Sequence, residues 1–146
     1  MKVIFEGMRI YPSSWITDRV ALEDDEIEGW HIPKGAMIIP FIYGVHHRED
    51  LWPDHMKFDP ERFTKEKIRA RHNFAHMPFG AGPRMCIGRN FAIMEIQMTV
   101  IKFLRRYQMS LVPNQNIAIL PSVTLAIRYG MKLNFEKKGA EVARVS

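Results

Sequence analysis

The chain has 146 residues and a mass of 17.1 kDa, which fits one domain or a piece of one. Hydrophobic residues make up 47% and charged residues 25%, so collagen-like, low-complexity and wholly disordered classes are excluded. Lysine and arginine outnumber aspartate and glutamate by 21 to 16, and the net charge of +5 favours an acidic or anionic partner. The single cysteine excludes an intramolecular disulfide and motifs that need two cysteines.

The sequence shows neither a signal peptide nor a membrane span. Charged residues interrupt the chain start at short intervals, so no apolar stretch there reaches signal-peptide length. The longest nearly apolar run, residues 36–45, contains Pro40 and Gly44 and is too short to cross a bilayer. We therefore expect no membrane segment in this chain and a cytoplasmic location.

The first elements in chain order are a helix and a small β-sheet. Residues 1–11 predict a helix that ends at a Tyr-Pro pair. Residues 15–45 consist of short extended runs separated by turn signals, which predicts the sheet. Within it, Pro33 suits position i+1 and Gly35 position i+3 of a type I turn.

The middle of the chain predicts a long loop followed by a long helix. Residues 46–79 are rich in Pro, Trp, Phe, Asp and Arg without a period, which indicates an ordered loop region with a short helix near 65–69. Residues 87–106 carry two apolar stripes at helical spacing, so this helix should be buried on most sides. If its neighbours are missing, the exposed apolar face promotes association.

The last elements are predicted as strands and a tail. Residues 123–129 alternate apolar and polar side chains, and residues 131–135 continue at period two, so we expect a terminal β-hairpin with Gly130 near its turn. Residues 139–146 resemble a flexible polar tail, which leaves 1–138 as the structured region.

Cys86 is the strongest candidate for chemistry. A lone cysteine is most often a small buried hydrophobe. This one, however, follows Gly80, Gly82 and Pro83 in a stiff turn, close to Arg84 and the start of the long helix. Positive charge and helix amides favour a thiolate, which can be a metal ligand or a nucleophile. Glycines on both sides let a flat, bulky group approach the backbone.

The residues around Cys86 resemble a known sequence motif. The pattern Phe79-x-x-Gly82-x-Arg84-x-Cys86-x-Gly88 resembles, at every fixed position, the cysteine-ligand signature of the cytochrome P450 family of haem-thiolate monooxygenases. Five fixed residues at about 5% usage each match a random window roughly three times in ten million. The pattern is therefore a specific signal.

Other segments resemble the family in the same order along the chain. Glu6-x-x-Arg9 is similar to the family's Glu-x-x-Arg helix motif, and Pro60-Glu61-Arg62-Phe63 to its Pro-Glu-Arg-Phe loop. Together they imply a structural, salt-bridged triad of Glu6, Arg9 and Arg62. The segment between these motifs resembles the family's sheet and loop, with Glu49 where aspartate is commoner. The resemblance covers essentially the whole chain.

The resemblance implies roles for the residues around Cys86. Cys86 would be the protein's ligand to the iron of haem b (iron protoporphyrin IX), and Phe79 would cover its sulfur. The amides of Ile87 and Gly88 would hydrogen-bond to the sulfur and tune the iron's potential, and Gly80 would let the haem come close. The resemblance assigns no catalytic residue in this chain.

Arginines are implied as haem-propionate partners. Arg84 would bind one propionate with two parallel hydrogen bonds. Arg19 lies where several family members place a second such arginine, although a solvated strand residue is an equal alternative. His46, His47, His55, His72 and His76 are alternative iron ligands in principle, but none repeats at ligand-like spacing, and each is more typical of a loop or a core.

The implied partners are a redox protein and a substrate. The basic residues Lys65, Lys67, Arg69, Arg71 and His72, with Arg89, would form a positive proximal face for an acidic electron donor, a ferredoxin or a flavoprotein reductase, although a solvated face is the commoner reason for such a charge run. The family implies a small apolar organic substrate. We expect no nucleic-acid partner.

The sequence therefore resembles an α+β, C-terminal part of the cytochrome P450 fold. Complete family members are roughly three times longer, and the oxygen-activating helix segment Ala/Gly-Gly-x-Asp/Glu-Thr is absent. The implied function is O2- and reductant-dependent hydroxylation, by this chain or by a longer enzyme of which it is part. The alternatives are a haem-binding remnant without turnover and a haem-free interaction fragment.

Overall fold

The computed structural model describes residues 1–139 and divides the chain into two compact units. The N-terminal unit is Lys2–Met85, and the C-terminal unit begins at Cys86. The predicted tail lies outside the described residues from residue 140 onward. The helices and strands are α1 (Lys2–Ile10), β1 (Arg19–Val20), β2 (Asp25–Ile27), β3 (Trp30–Ile32), β4 (Met37–Ile38), α2 (Ile42–His46), a 3-10 helix (Pro60–Phe63), α3 (Lys65–Ala70), a second 3-10 helix (Gly82–Arg84), α4 (Arg89–Arg106), β5 (Tyr107–Leu111), β6 (Ile119–Pro121), β7 (Leu125–Ile127) and β8 (Leu133–Lys137).

The predicted sheet of the N-terminal unit consists of two antiparallel pairs. Strands β1 and β4 pair with Arg19 opposite Ile38. Strands β2 and β3 form a hairpin whose two-residue loop is Glu28-Gly29, with φ of 53° and 81°. Two positive φ angles in a two-residue loop are typical of a type I′ turn, whose twist matches that of the strands.

The turn before β4 differs from the prediction. The Ala36 amide donates to the Pro33 carbonyl at 3.0 Å, so Pro33 is the first residue of the turn rather than the second. Gly35 is then the third residue, with φ of +82°. A positive φ there is characteristic of a type II turn, which needs glycine at that place. The predicted type I turn with Pro33 at i+1 was wrong.

The core of the N-terminal unit lies in the segment that the sequence predicts as an ordered loop. Trp52, Phe63 and Ala75 are buried in one cluster, with Phe5 of α1 packed against it. The rings of Phe5 and Phe63 lie 5.6 Å apart. Aromatic side chains bury large areas. The rings of Phe5, Trp52 and Phe63 therefore stabilise a region that has little regular secondary structure.

The C-terminal unit is built on one long helix and two strand pairs. No residue between 86 and 139 is buried. Apolar side chains of α4 are exposed, among them Phe91, Met94, Met98 and Ile101. The expectation that this helix is buried on most sides is therefore wrong for the chain as described. Among the helices of residues 1–139, none combines the length and apolarity needed to cross a bilayer.

The terminal strands form but pair differently from the prediction. Strand β7 pairs with β6, and β8 pairs with β5, all antiparallel. The hairpin predicted around Gly130 is therefore wrong, although both of its strands exist. Alternation shows that a segment is extended, but it does not specify the partner, because register depends on the tertiary surroundings.

Candidate functional site

The segment before the cysteine, residues 77–85, is called the cysteine loop below and belongs to the N-terminal unit. The Gly80 amide donates to the Met77 carbonyl at 3.0 Å, and the Met85 amide donates to the Gly82 carbonyl at 3.1 Å. The φ angles of Gly80 and Gly82 are +73° and +68°. Residues with a Cβ rarely adopt these angles, so both turns require glycine. Phe79 and Gly80 are half-buried.

Cys86 opens the C-terminal unit as a free, exposed thiol. Ile87 is fully exposed, at 104% of its reference area. A Cβ built on Gly88 would lie 3.8 Å from the Cys86 sulfur, an ordinary contact, so Gly88 is next to the sulfur without crowding it. The thiol is therefore accessible, with an apolar side chain and a glycine directly after it.

The helix after Cys86 begins later than the sequence predicts. The prediction starts it at Ile87, with Cys86 brought to its first turn. In the structure α4 starts at Arg89, with Gly88 as its N-cap, and the Arg89 amide donates to the Cys86 carbonyl at 3.3 Å. Glycine is a poor helix former, so a turn over residues 86–89 precedes the helix. Cys86 thus lies two residues before the cap.

The two arginines proposed for the propionates are both exposed. Arg84 ends the second 3-10 helix of the chain, beside the cysteine in sequence. Arg19 lies in β1, where its Nη1 donates to the Asp18 carbonyl at 2.6 Å. Each guanidinium keeps free donors, so each can bind a carboxylate.

The structure brings Glu6, Arg9 and Arg62 together. Arg9 donates from Nε and Nη2 to the two carboxylate oxygens of Glu6, at 2.7 and 2.9 Å. Arg62 Nε lies 3.5 Å from Glu6 Oε1, an ion pair without hydrogen-bond geometry. Glu6 and Arg9 are fully buried and Arg62 is nearly so. Glu6 and Arg9 share one face of α1 because they are three residues apart.

Backbone groups complete this cluster. The Asp59 amide donates to Glu6 Oε1 at 2.9 Å, and Arg9 Nη1 donates to the His46 carbonyl at 2.9 Å. Arg62 Nη2 donates to the Asp54 carbonyl at 3.0 Å. Buried charges persist only when they are paired and hydrogen-bonded, and these bonds meet that need. The cluster therefore ties α1 to the end of α2 and to the segment around residues 54–62.

His46 is a buried residue that sequence reasoning did not single out from the other histidines. Its side chain is fully buried, and its Nε2 accepts a hydrogen bond from the Met77 amide at 2.8 Å. Burial, followed by the electrostatic interaction with His76, lowers the pKa of His46 from 6.5 to about 3. His46 is therefore neutral near pH 7. No local pattern marks this residue, because its contacts come from α1 and from residues 76 and 77.

Arg71, predicted to be part of the basic face, instead packs against the core of the N-terminal unit. Its guanidinium lies 3.9 Å from the centroid of the Trp52 ring, and its Nη2 donates to the Arg62 carbonyl at 2.9 Å. Burial lowers the pKa of Arg71. A guanidinium stacked on an indole contributes through cation–π attraction and packing. Arg71 is thus a structural residue, whereas Lys65, Lys67 and Arg69 on α3 are exposed.

Comparison with known proteins decides the family. The family model described as Cytochrome P450 matches residues 1–133. The chain belongs to the cytochrome P450 family. It is 36% identical over 117 residues to thromboxane-A synthase of Sus scrofa, covering 80% of this chain and 22% of that protein. It is 41% identical over 105 residues to cytochrome P450 3A25 of Mus musculus, covering 72% and 21%. It is 36% identical over 133 residues to cytokinin hydroxylase of Arabidopsis thaliana, covering 90% and 26%.

Solved cytochrome P450 structures show the same fold. A cyanobacterial P450 with bound retinoic acid superposes with a TM-score of 0.88 at 30% identity, covering 94% of this chain and 32% of that one. The haem domain of cytochrome P450DA gives 0.89 at 26% identity, covering 99% and 32%. The chain thus spans between a fifth and a third of the relatives it matches. The family and the α+β class predicted from the sequence are confirmed.

Membership of this family implies haem b, and the residues present fit that group. A haem with one protein ligand needs an accessible thiolate, and Cys86 is free and exposed. The apolar macrocycle needs uncovered apolar side chains, and Ile87, the next residue in the chain, is fully exposed. The haem carboxylates need cations, and the exposed guanidinium groups of Arg84 and Arg19 would meet that need.

Proposed function

We propose that this chain is the haem-thiolate part of a cytochrome P450 monooxygenase, which hydroxylates an organic substrate with O2 and a reductant. The observation that carries the proposal is Cys86. It is the only cysteine in the sequence, it is free and exposed, and it occupies the ligand position of the family motif. A structural cysteine is usually buried and inert, so an exposed one between glycine-rich turns supports a ligand role.

The other site residues would hold the haem rather than react. Arg84 and Arg19 would bind its propionates, and Phe79 would exclude water from the sulfur. The amides of Ile87 and Gly88 would donate to the thiolate and lower its electron density. Gly80 keeps the cysteine loop in a conformation that a larger residue would strain, since its φ is +73°.

The haem supplies the oxygen and electron-transfer chemistry when bound, and the protein supplies orientation and electrostatics. The thiolate of Cys86 would hold the iron and would supply it with electron density. Glu6, Arg9 and Arg62 do not reach reacting atoms in this proposal. They are structural residues that hold the N-terminal unit, and we treat residues 1–138 as one haem-thiolate region.

We place the electron donor on the exposed basic residues. Lys65, Lys67 and Arg69 on α3 are solvated and free to meet an acidic protein, a ferredoxin or a flavoprotein reductase. Electrostatic steering of this kind raises association rates at low salt.

We propose a small apolar organic substrate. Relatives named for hydroxylation include cytokinin hydroxylase of Arabidopsis thaliana and a human ultra-long-chain fatty acid omega-hydroxylase, which is 35% identical over 134 residues. Both names describe hydroxylation of an organic molecule, and this supports the reaction type. The choice among such substrates belongs to residues beyond those of the cysteine loop.

The deciding experiment is a haem titration. The purified chain is mixed with haemin, reduced under carbon monoxide and measured by difference spectroscopy, with Cys86→Ala and the control Thr99→Ala, an exposed α4 residue, treated alike. We expect a red-shifted Soret band that Cys86→Ala abolishes and Thr99→Ala keeps. A band that survives the loss of Cys86 would overturn the ligand assignment, and haem uptake without any such band would favour a haem-binding remnant.

A further inference from the structure

We propose that His46 is a positioning residue that anchors the start of the cysteine loop to the cluster of Glu6 and Arg9. As a neutral imidazole, it accepts the hydrogen bond of the Met77 amide, which is the first amide of the loop. The relevance of this anchor to haem rests on the proposed function. The anchor itself lies within the N-terminal unit and stands on that unit's geometry.

One residue makes both connections. The backbone carbonyl of His46 accepts from Arg9 Nη1 at 2.9 Å, and its side-chain Nε2 accepts from the Met77 amide at 2.8 Å. Both bonds are short enough to be strong, and His46 is fully buried, so water does not compete for them. The segment from α1 through His46 to Met77 is thus one continuous hydrogen-bonded path.

The position of Met77 makes this bond hard to replace. The next residue is Pro78, which has no amide hydrogen, so the Met77 amide is the last donor before Phe79. The Met77 carbonyl closes the first turn of the loop by accepting from Gly80. Holding the Met77 peptide therefore fixes where the turn of the cysteine loop begins.

The tautomer of His46 follows from its partner. The Met77 amide can only donate, so Nε2 is the unprotonated nitrogen and Nδ1 carries the proton. Within residues 1–139, Nδ1 has no hydrogen-bond partner, so the bond from the Met77 amide is the hydrogen bond that fixes the orientation of the ring. A leucine of similar size would fill the same space but would leave a part-buried amide without an acceptor.

The charged and titratable neighbours keep the ring neutral. Arg9 of α1 is fully buried next to it, His76 stacks on it with ring centroids 5.2 Å apart, and His47 follows it in the chain. A second proton on His46 would face these groups without water to screen it, and would turn the acceptor into a donor that opposes the Met77 amide. The acceptor therefore persists across the neutral and mildly acidic range.

The first test measures amide hydrogen exchange of Met77 in the full haem-free chain. His46→Leu removes the acceptor, and we expect Met77 exchange to rise about tenfold, the loss of one net hydrogen bond. His46→Gln restores an acceptor oxygen and should return exchange to within about threefold of the native chain. His47→Leu, the matched control, removes the neighbouring ring that bonds to the Tyr43 carbonyl instead, and should leave Met77 unchanged.

The second test needs no variant and decides the case if His46→Leu does not fold. Imidazole nitrogen NMR of the native chain should show His46 neutral, with its proton on Nδ1, and a coupling between Nε2 and the Met77 amide nitrogen at pH 7 and pH 5. A proton on Nε2, or a charged ring at pH 5, would overturn the proposal. So would equal Met77 exchange in the His46→Leu and native chains.

The same three variants also separate this proposal from the proposed function. After haemin addition and reduction under carbon monoxide, we expect His46→Leu to lose part of the red-shifted band and His46→Gln to regain it. If Met77 exchange follows the acceptor while no variant gives the band, the anchor stands and the proposed function fails. If the band is full in His46→Leu and Met77 exchange is unchanged, the anchor fails and the proposed function stands.

Discussion

The two units of this chain differ in how much they bury. The N-terminal unit places Glu6, Arg9 and His46 out of contact with solvent, together with the aromatic core around Trp52. The C-terminal unit buries no side chain between residues 86 and 139, and leaves a helix with exposed Phe, Met and Ile residues. The N-terminal unit thus buries charged and polar side chains, whose burial costs free energy. The C-terminal unit exposes apolar side chains, whose burial would be favourable.

The difference shows which unit carries its own stability. A buried charge is tolerated only when hydrogen bonds replace its water, and the Glu6 carboxylate meets this with donors from Arg9 and from the Asp59 amide. Apolar burial contributes about 25 cal/mol per Å², so an uncovered helix gains little from its apolar side chains. The N-terminal unit therefore has a buried core of its own, and residues 86–139 of the C-terminal unit have none.

The largest expected effect is on the stability of the N-terminal unit. Glu6→Ala leaves the Arg9 guanidinium buried without its carboxylate, and we expect a loss of about 3 to 5 kcal/mol in the free energy of unfolding of this unit. Urea denaturation followed by tryptophan fluorescence measures it, because Trp52 lies in the core. The control is Glu61→Ala, which breaks the exposed ion pair with Lys2 and should change stability little. Equal losses in both variants would contradict the comparison.

A smaller effect is the pH dependence of the same unit. The pKa of His46 is lowered from 6.5 in the unfolded chain to about 3 in the folded one, so unfolding takes up a proton between these values. Stability is then full above pH 6.5 and falls by roughly 1.4 kcal/mol per pH unit as the pH drops toward 3. Urea midpoints at pH 7 and pH 5.5 measure this fall. His46→Gln should flatten the profile in that range, and an unchanged profile would show that other groups cause it.

The smallest effect on the free energy of unfolding is expected for substitutions in the C-terminal unit, which should change self-association instead. We expect the chain to self-associate through α4, because Met94 and Met98 are exposed on it with other apolar side chains. Met94→Lys with Met98→Lys should lower the mass measured by light scattering. Thr99→Lys with Thr124→Lys adds the same charge on exposed polar positions and should not. A monodisperse monomer of the native chain would contradict the expectation.

Local features of the site were predictable, and contacts between distant segments were not. The fixed positions around Cys86 identify the family because the turn needs glycine and a ligand needs a thiolate, which are requirements of the backbone and the chemistry. Glu6 and Arg9 were also placed correctly on one helix face by their spacing. The start of α4 was misplaced by two residues, since the competition between a turn and a helix at Gly88 is decided by small energies.

The family and the α+β class could be read from the sequence, because short motifs in which each position needs one residue type carry that information. The pairing of β8 with β5, the stacking of Arg71 on Trp52 and the hydrogen bond from Met77 to His46 could be seen only in the folded chain. These contacts join residues 22, 19 and 31 positions apart in the chain, taking Leu111 and Leu133 as the innermost partners of the strand pair. Local propensity has no information over such spans, so the partner is selected by contacts between distant segments.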